Sequence, residues 1–166
     1  MSGATTTRAA RAREVAATVL DPEVPVLTID DLGILREVSV DDDGVVHVDL
    51  TPTYSGCPAV EAIESDVETA LVAAGFADVR VRRVLAPAWT TDRISDDGRR
   101  KLLEYGIAPP SGTRPVGPVP VQLGIRCPQC GSPRTSELSR FGSTACKSLW
   151  RCDDCREPFD HFKVLR

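Results

Sequence analysis

Aromatic side chains are scarce: they make up 5% of the 166 residues. So few rings exclude a large aromatic-lined pocket and a platform for stacking bases. Apolar runs are short as well. None approaches the roughly 18 residues of a membrane-spanning helix, so no membrane partner is expected. Residues 1–7 are small and polar with no apolar stretch, which is not the pattern of a secretory signal peptide. Positive charge is in deficit. The net charge of −4 excludes nucleic-acid binding by the chain's overall electrostatics. The sequence also lacks the nucleophile elbow GxSxG, the phosphate-binding P-loop, the dinucleotide loop GxGxxG and the metalloprotease pattern HExxH. No other catalytic set replaces them, and the chain is expected not to be an enzyme.

What the sequence does have is cysteine. Six cysteines in a chain without an export signal point to a reducing cytoplasm, where metal ligation or thiol chemistry outranks disulfide formation. Their placement divides the molecule. Cys57 stands alone, whereas Cys127, Cys130, Cys146, Cys152 and Cys155 crowd the last forty residues. Charge divides it too: residues 1–126 carry 19 acidic and 13 basic side chains, and residues 127–166 carry 5 and 7. Between the halves runs Ala108 to Pro120, whose five prolines and two glycines cannot sustain a helix or a central strand. It reads as a semi-rigid linker of polyproline character. The expected layout is a disordered tail over 1–7, a first domain over 8–107, a Pro/Gly linker over 108–122 and a second module over 123–166.

In the first domain, Arg8 to Leu20 is alanine-rich and reads as a helix, with Val15, Val19 and Leu20 on one side. Asp21-Pro22-Glu23-Val24-Pro25 ends it, because proline disfavours helix in the residue before it. Ile34 to Val40 and Val46 to Leu50 alternate apolar and polar residues around the turn Asp41-Asp42-Asp43-Gly44, the pattern of a hairpin. Pro58 to Ala74 repeats apolar residues at spacings of three and four, with Pro58 suited to the first helical position and Gly75 to the residue past the end. Val79 and Val81 open a third strand. The order α-β-β-α-β predicts an α+β fold, a small two-layer sandwich with a three-stranded sheet. Ser95 to Tyr105 reads as a last helix, with Ser95 as its cap and Gly106 as its stop.

Cys127-Pro-Gln-Cys130 and Cys152-Asp-Asp-Cys155 are two CxxC pairs with 21 residues between them. Each CxxC turn presents two thiolates to one metal, and two such knuckles complete a tetrahedral shell. A forty-residue module buries too little surface to fold without a staple. The spacing therefore predicts a C-terminal zinc ribbon, although a four-thiolate iron or iron–sulfur site uses the same ligands. Cys146 is a fifth cysteine, either a small buried hydrophobe or a spare thiol near the cluster. His161 is expected on the surface of the last strand and His47 on the polar face of the second, neither as a ligand. The module has no Lys/Arg run, so docking onto protein is favoured over a phosphate backbone.

Cys57 follows a strand and stands at the start of the best helix. Helix N-terminal N–H groups favour anions and would lower the pKa of a thiol there. Gly56 leaves room for a partner or a metal. Two readings stand: an exposed metal-reactive thiol, or a small buried capping residue. No histidine lies near it in sequence to act as a base.

Asp21-Pro-Glu-Val-Pro25, Asp31-Leu-Gly33 and the stretch from Thr51 to Pro58 ending in Gly-Cys-Pro resemble the SufT-type iron–sulfur assembly-factor family, over roughly residues 9–105. The resemblance implies an α-β-β-α-β fold and a reactive cysteine matching Cys57. Ala86-Pro-Ala-Trp-Thr-Thr-Asp92, the proline linker, Cys127-Pro-Gln-Cys-Gly-Ser132, Phe141-Gly-Ser-Thr-Ala-Cys-Lys147 and Glu157-Pro-Phe-Asp160 resemble a second family. It comprises the D components of the phenylacetyl-CoA epoxidase system, called PaaD, or PaaJ in older naming. This resemblance covers nearly the whole chain. It implies an accessory maturation factor in aerobic phenylacetate catabolism, serving a multicomponent di-iron oxygenase whose reductase carries a flavin and a 2Fe–2S cluster. The oxygenase and reductase subunits would be its partners. Structural zinc would sit on Cys127, Cys130, Cys152 and Cys155. Iron or 2Fe–2S cargo would touch Cys57 transiently, and also Cys146, whose counterpart the family retains. The family pattern often has tyrosine where His161 stands. One thiolate supplies too few ligands for a stable cluster, so a homodimer or the client would have to supply the rest. The rival reading is a non-catalytic scaffold subunit in which Cys57 only caps its helix.

Overall fold

The computed structural model describes residues 2–111 and 124–165, so the expected proline linker lies largely outside the described residues. The chain forms two compact units, Met1–Trp89 and Thr90–Arg166.

The first unit opens on helix α1, Ser2–Ala16. Residues 2–7, expected as a disordered tail, belong to this helix. No proline interrupts them, and alanine and arginine further along favour its propagation. The helix also stops four residues before the expected Leu20. The Thr18 hydroxyl donates to Val15 O at 2.8 Å and the Val19 N–H to Ala16 O at 3.2 Å, which turns the chain out. Leu20 then bridges Thr28 and is exposed, so the buried stripe is Ala12, Ala16 and Val19 rather than the expected set.

Strands β1, Leu35–Val40, and β2, Val46–Leu50, form the expected antiparallel hairpin, with Val38 opposite Val48. The register shifts between Leu35 and Val38. Consecutive Ile34, just before the strand, and Leu35, its first residue, are both buried, where strict alternation placed them on opposite faces. Helix α2, Ala59–Ala73, follows Pro58, which is its N-cap rather than its first helical residue. Its far end is a Schellman motif: Phe76 N–H donates to Leu71 O at 3.1 Å and Gly75 N–H to Val72 O at 3.0 Å. Gly75 takes φ +93° there, as the sequence anticipated. Helix α2 is the crossover to β3, Val79–Arg83, which runs parallel to β2. The sheet order is β1-β2-β3. Helix α1 lies against β1 and α2, and α2 against β3. Val46, Val48 and Leu50 are fully buried, while the alternating His47 and Asp49 are half-buried. This is the expected two-layer sandwich.

The second unit contains α3, Asp96–Glu104, capped as expected by Ser95, whose Oγ accepts the Gly98 N–H at 2.9 Å. Its sheet comprises β4, Ile107–Ala108; β5, Thr135–Ser139; β6, Lys147–Cys152; and β7, Pro158–Phe162. The order is β4-β7-β6-β5, with β5, β6 and β7 antiparallel and β4 parallel to β7. Ala108 stands opposite His161. That pairing draws α3 and β4 into the second unit, so the division falls after Trp89 and not at 107, where the sequence drew it. A small core of Ala108, Cys127, Cys152 and Phe159, flanked by Ile125 and Trp150, holds the unit together.

Candidate functional site

The ligand atoms of Cys127, Cys130, Cys152 and Cys155 all lie within 4.8 Å of one another. Cys127 Sγ is 3.7 Å from Cys155 Sγ, and Cys130 Sγ is 3.6 Å from Cys152 Sγ. A tetrahedron with metal–sulfur bonds of about 2.3 Å has sulfur–sulfur edges of about 3.8 Å, so the donor set fits a closed four-thiolate metal site. The two knuckles are built alike. Cys127 N–H donates to Ser132 O at 3.0 Å and Gly131 N–H to Cys127 O at 2.9 Å. In the second, Cys152 N–H donates to Glu157 O at 3.0 Å and Arg156 N–H to Cys152 O at 3.1 Å. The residue after each pair is left-handed, Gly131 at φ +75° and Arg156 at φ +69°. The sequence flagged the first through its glycine; the second carries no such mark. The Asp154 carboxylate accepts from the Ser132 hydroxyl and the Arg134 guanidinium, which ties the knuckles together.

The electrostatics of the four sulfurs call for a cation. The Cys155 N–H draws the Cys152 thiol below its ordinary pKa. At Cys155 the N–H of Glu157 also favours the thiolate, but burial and the sulfurs of Cys152, Cys127 and Cys130 outweigh it and push the pKa up to about 12. The thiolate of Cys155 is thus disfavoured by the neighbouring sulfurs, and a divalent cation among them would remove that penalty. The set leaves no open coordination position for catalysis.

Cys146 lies outside that set. It is 5% exposed, its Sγ is 3.1 Å from Thr144 Oγ1, and its carbonyl accepts the Lys163 N–H at 2.9 Å. His161, expected on the surface, is 7% exposed. The reason is its place on β7, covered on one side by β4 and facing Trp150 edge-on at 6.1 Å. Trp150 Nε1–H donates to Ser148 Oγ at 3.0 Å, and the same oxygen lies 3.3 Å from His161 Nδ1. His161 Nε2 is buried without a hydrogen-bond partner. Desolvation lowers the pKa of His161 to about 4. His47 is on the open sheet face, its Nε2 2.9 Å from Asp41 Oδ2.

In the first unit Cys57 is half-buried, one residue before the N-cap of α2. Its N–H donates to Tyr54 O at 3.2 Å, closing the turn after β2. The expected low thiol pKa does not hold. Burial pushes the Cys57 thiol up, and the carboxylates of Glu23 and Asp21 push it the same way. The Ala59 N–H and the Thr53 hydroxyl pull it down but do not win. Sequence reasoning missed these carboxylates as electrostatic neighbours of Cys57, although it quoted Asp21-Pro-Glu-Val-Pro25. Asp21 itself is 6% exposed and folds its loop, its Oδ1 accepting the N–H groups of Glu23 and Val24 at 2.8 Å each. Asp31 has a similar role: Thr28 N–H donates to its carboxylate at 3.1 Å, and its own N–H donates to Thr28 Oγ1 at 3.0 Å. Trp89 Nε1–H donates to Leu32 O at 2.8 Å and pins the same turn.

Comparison with known proteins accounts for both units. Residues 10–82 match the model of an iron–sulfur cluster assembly protein family, and residues 113–163 match the PaaD zinc beta ribbon domain. The chain resembles a crystal structure from Bacillus anthracis of a domain of unknown function, DUF59. The TM-score is 0.57 and the identity 25%, over 61% of this chain and 97% of that one. The chain is 41% identical over 78 residues to the Fe–S protein maturation auxiliary factor SufT of Staphylococcus aureus, covering 46% of this chain and 88% of that protein. It is also 51% identical over 145 residues to the D component of the 1,2-phenylacetyl-CoA epoxidase of Escherichia coli, covering 87% of this chain and 86% of the other. With that extent of likeness, and with the assembly-type domain and four-cysteine ribbon both in place, the chain belongs to the PaaD family, the D components of phenylacetyl-CoA epoxidase.

Proposed function

We propose that the protein is a non-catalytic maturation factor of a phenylacetyl-CoA epoxidase, a multicomponent di-iron oxygenase, and that it assists delivery of iron or a 2Fe–2S cluster to the oxygenase or reductase subunits. The observation that carries this reading is the joining of two things in one chain. One is a half-buried thiol, Cys57, under the charge of Glu23 and Asp21 in a domain of iron–sulfur assembly type; the other is a ribbon of PaaD type. The ribbon's four thiolates hold zinc, which supplies folding energy rather than catalysis. The work is done in the cytoplasm, where both sets of thiols stay reduced.

The raised pKa of Cys57 shapes the mechanism. At neutral pH the group is a protonated thiol. A cation arriving beside Glu23 and Asp21 finds negative charge first and displaces the thiol proton to water as the iron–sulfur bond forms. The thiol is therefore quiet until its cargo arrives. Cargo binding also releases a proton, so it weakens as pH falls. One thiolate cannot hold a cluster, so the client or a second copy completes the ligand set.

A scaffold role is the second reading, and the neutral, half-buried state of Cys57 favours it. Cys57→Ser separates the two. Serine preserves the turn before α2 and removes the soft ligand. The measurement is iron and cluster content of the epoxidase purified from cells carrying each variant. Delivery predicts under-loaded client with zinc content of the variant unchanged. Full loading by Cys57→Ser would leave the scaffold reading.

A further inference from the structure

The four thiols of the ribbon are not equivalent. Cys127 and Cys152 are 2% and 0% exposed and belong to the small core of the second unit, whereas Cys130 and Cys155 are exposed. A ligand that is part of a close-packed core cannot swing away without breaking that core. A metal held by the set is therefore reached from the side of Cys130 and Cys155, and for it to leave the two CxxC turns must part.

A short chain of bonds opposes that parting. Ser132 is attached to both turns. Its carbonyl accepts the Cys127 N–H at 3.0 Å, which closes the first turn; its hydroxyl donates to the carboxylate of Asp154, inside the second. The Arg134 guanidinium donates to the same carboxylate, and the Arg134 N–H donates to Ser132 Oγ at 3.0 Å. Asp154 directly precedes Cys155, so the tether is fixed where the outward movement of an exposed ligand would start. The neighbouring Asp153 is held through its N–H, which donates to Arg134 O at 2.9 Å. The side chains of Arg134 and Asp154 are 72% and 35% exposed, and an ion pair so exposed contributes little to folding by itself. Partners that orient metal ligands matter more to the metal: losing one costs about 10–100-fold in affinity.

We propose that Ser132, Arg134 and Asp154 are positioning residues that latch the two CxxC turns together and set the rate at which the ribbon gives up its metal past Cys130 and Cys155. This goes beyond the maturation role and rests only on the zinc-bound ribbon within it. The test is transfer of zinc from the full-length, zinc-loaded protein to a chromophoric chelator at neutral pH, well below the unfolding temperature. Zinc keeps its oxidation state, and the thiolates it leaves take protons from water. Asp154→Ala should release zinc about tenfold faster or more. Asp154→Asn, which keeps an acceptor for Ser132, should fall between that variant and wild type. Arg134→Ala/Asp154→Ala should be no faster than Asp154→Ala, because both changes cut the same link. Asp153→Ala takes the same charge from the same turn and keeps its N–H, so it should release zinc at the wild-type rate. Hydrogen exchange of β6 in each zinc-loaded variant reports that the ribbon is intact; if Asp154→Ala has lost that protection, Asp154→Asn carries the test. Release from Asp154→Ala at the wild-type rate would overturn the latch and leave the proposed function standing. Equal acceleration by Asp153→Ala would overturn it too, because negative charge alone would then govern the metal. A wild type that holds no zinc after loading would remove the zinc-bound ribbon from both readings.

Discussion

Two single residues carry the sharpest consequences. For Cys57 the sequence leaves an activated thiol and a buried cap both open, and the first rests on a helix N-terminus stabilising anions. That argument was incomplete: burial and the charges of Glu23 and Asp21 act on the same sulfur and outweigh the Ala59 N–H. Alkylation of Cys57 should therefore be slower than that of free cysteine at neutral pH and should rise only beyond the ordinary thiol pKa. Glu23→Gln should speed it at fixed pH. Rapid alkylation of the wild type at neutral pH would show that the helix terminus dominates after all. The linkage has a definite sign. The folded protein holds the Cys57 proton more tightly than the unfolded chain, so the stability this group contributes is present below the unfolded pKa and is lost as pH rises through the folded one. Arg156 is the second case. It occupies the left-handed position that Gly131 fills in the other knuckle. A side chain there costs about 1–2 kcal/mol, and glycine gives back about 0.5–1 kcal/mol through its unfolded-state freedom. Arg156→Gly should then raise the stability of the second unit by about 0.5–1 kcal/mol in denaturant unfolding. Gly131→Ala should lower it by a similar amount; no atom lies within 4 Å of the added Cβ, so the penalty is conformational alone.

At the scale of elements, what the sequence revealed was whatever repeats over enough residues to make a period or carries a residue with one job. Helix α2 has its three-and-four spacing and its Gly75; α3 has Ser95 and Gly106; the β1–β2 hairpin has its Asp-rich turn. Strand β4 is two residues long and has no period to read. Its pairing with β7 is therefore invisible in the sequence, and with it the burial of His161. The bulge in β1 depends on strand pairing and the early end of α1 on the turn at Thr18 and Val19, and these override alternation and propensity. The site was legible in the same uneven way. Regular CxxC spacing revealed the four thiolates, while the carboxylates that act on Cys57, Glu23 and Asp21, come from a loop about 35 residues earlier. Burial of β7 makes its own prediction. His161 titrates near 4 in the fold against 6.5 in a free chain, so the folded state disfavours its charged form. Stability should be lost as pH falls from about 6.5 to about 4, by on the order of 3 kcal/mol, and should level off below that. His161→Phe should remove this component. Thiolate protonation weakens metal binding as the pH falls, so the measurement is the difference between wild type and His161→Phe in denaturant midpoint at each pH. Parallel pH curves for the two proteins would show that the histidine is not the titrating group.

The whole molecule joins two units that reach stability by different physics. The first has a helix-covered sheet, with Val46, Val48, Leu50, Ile63, Val67 and Leu71 essentially inaccessible. The second has a small core in which two of the four members, Cys127 and Cys152, also belong to the four-thiolate set that could hold a metal. Removing the metal there does more than empty a surface site. It leaves buried thiols that repel one another on ionising, and it forfeits an apparent binding energy of about 10–16 kcal/mol that is folding energy in such ribbons. Chelation, or Cys127→Ser, should accordingly melt β5, β6 and β7 while α2 and the first sheet persist. Hydrogen exchange resolves the two units directly. Amides of β6 should lose protection on chelation, and those of α2 and β2 should keep it. Loss of protection in both units together would mean that they fold as one body and that the division after Trp89 has no energetic meaning. Persistence of β6 protection without metal would mean that the apolar contacts of Phe159, Phe162 and Trp150 suffice, and that the four thiolates serve some purpose other than holding the ribbon closed.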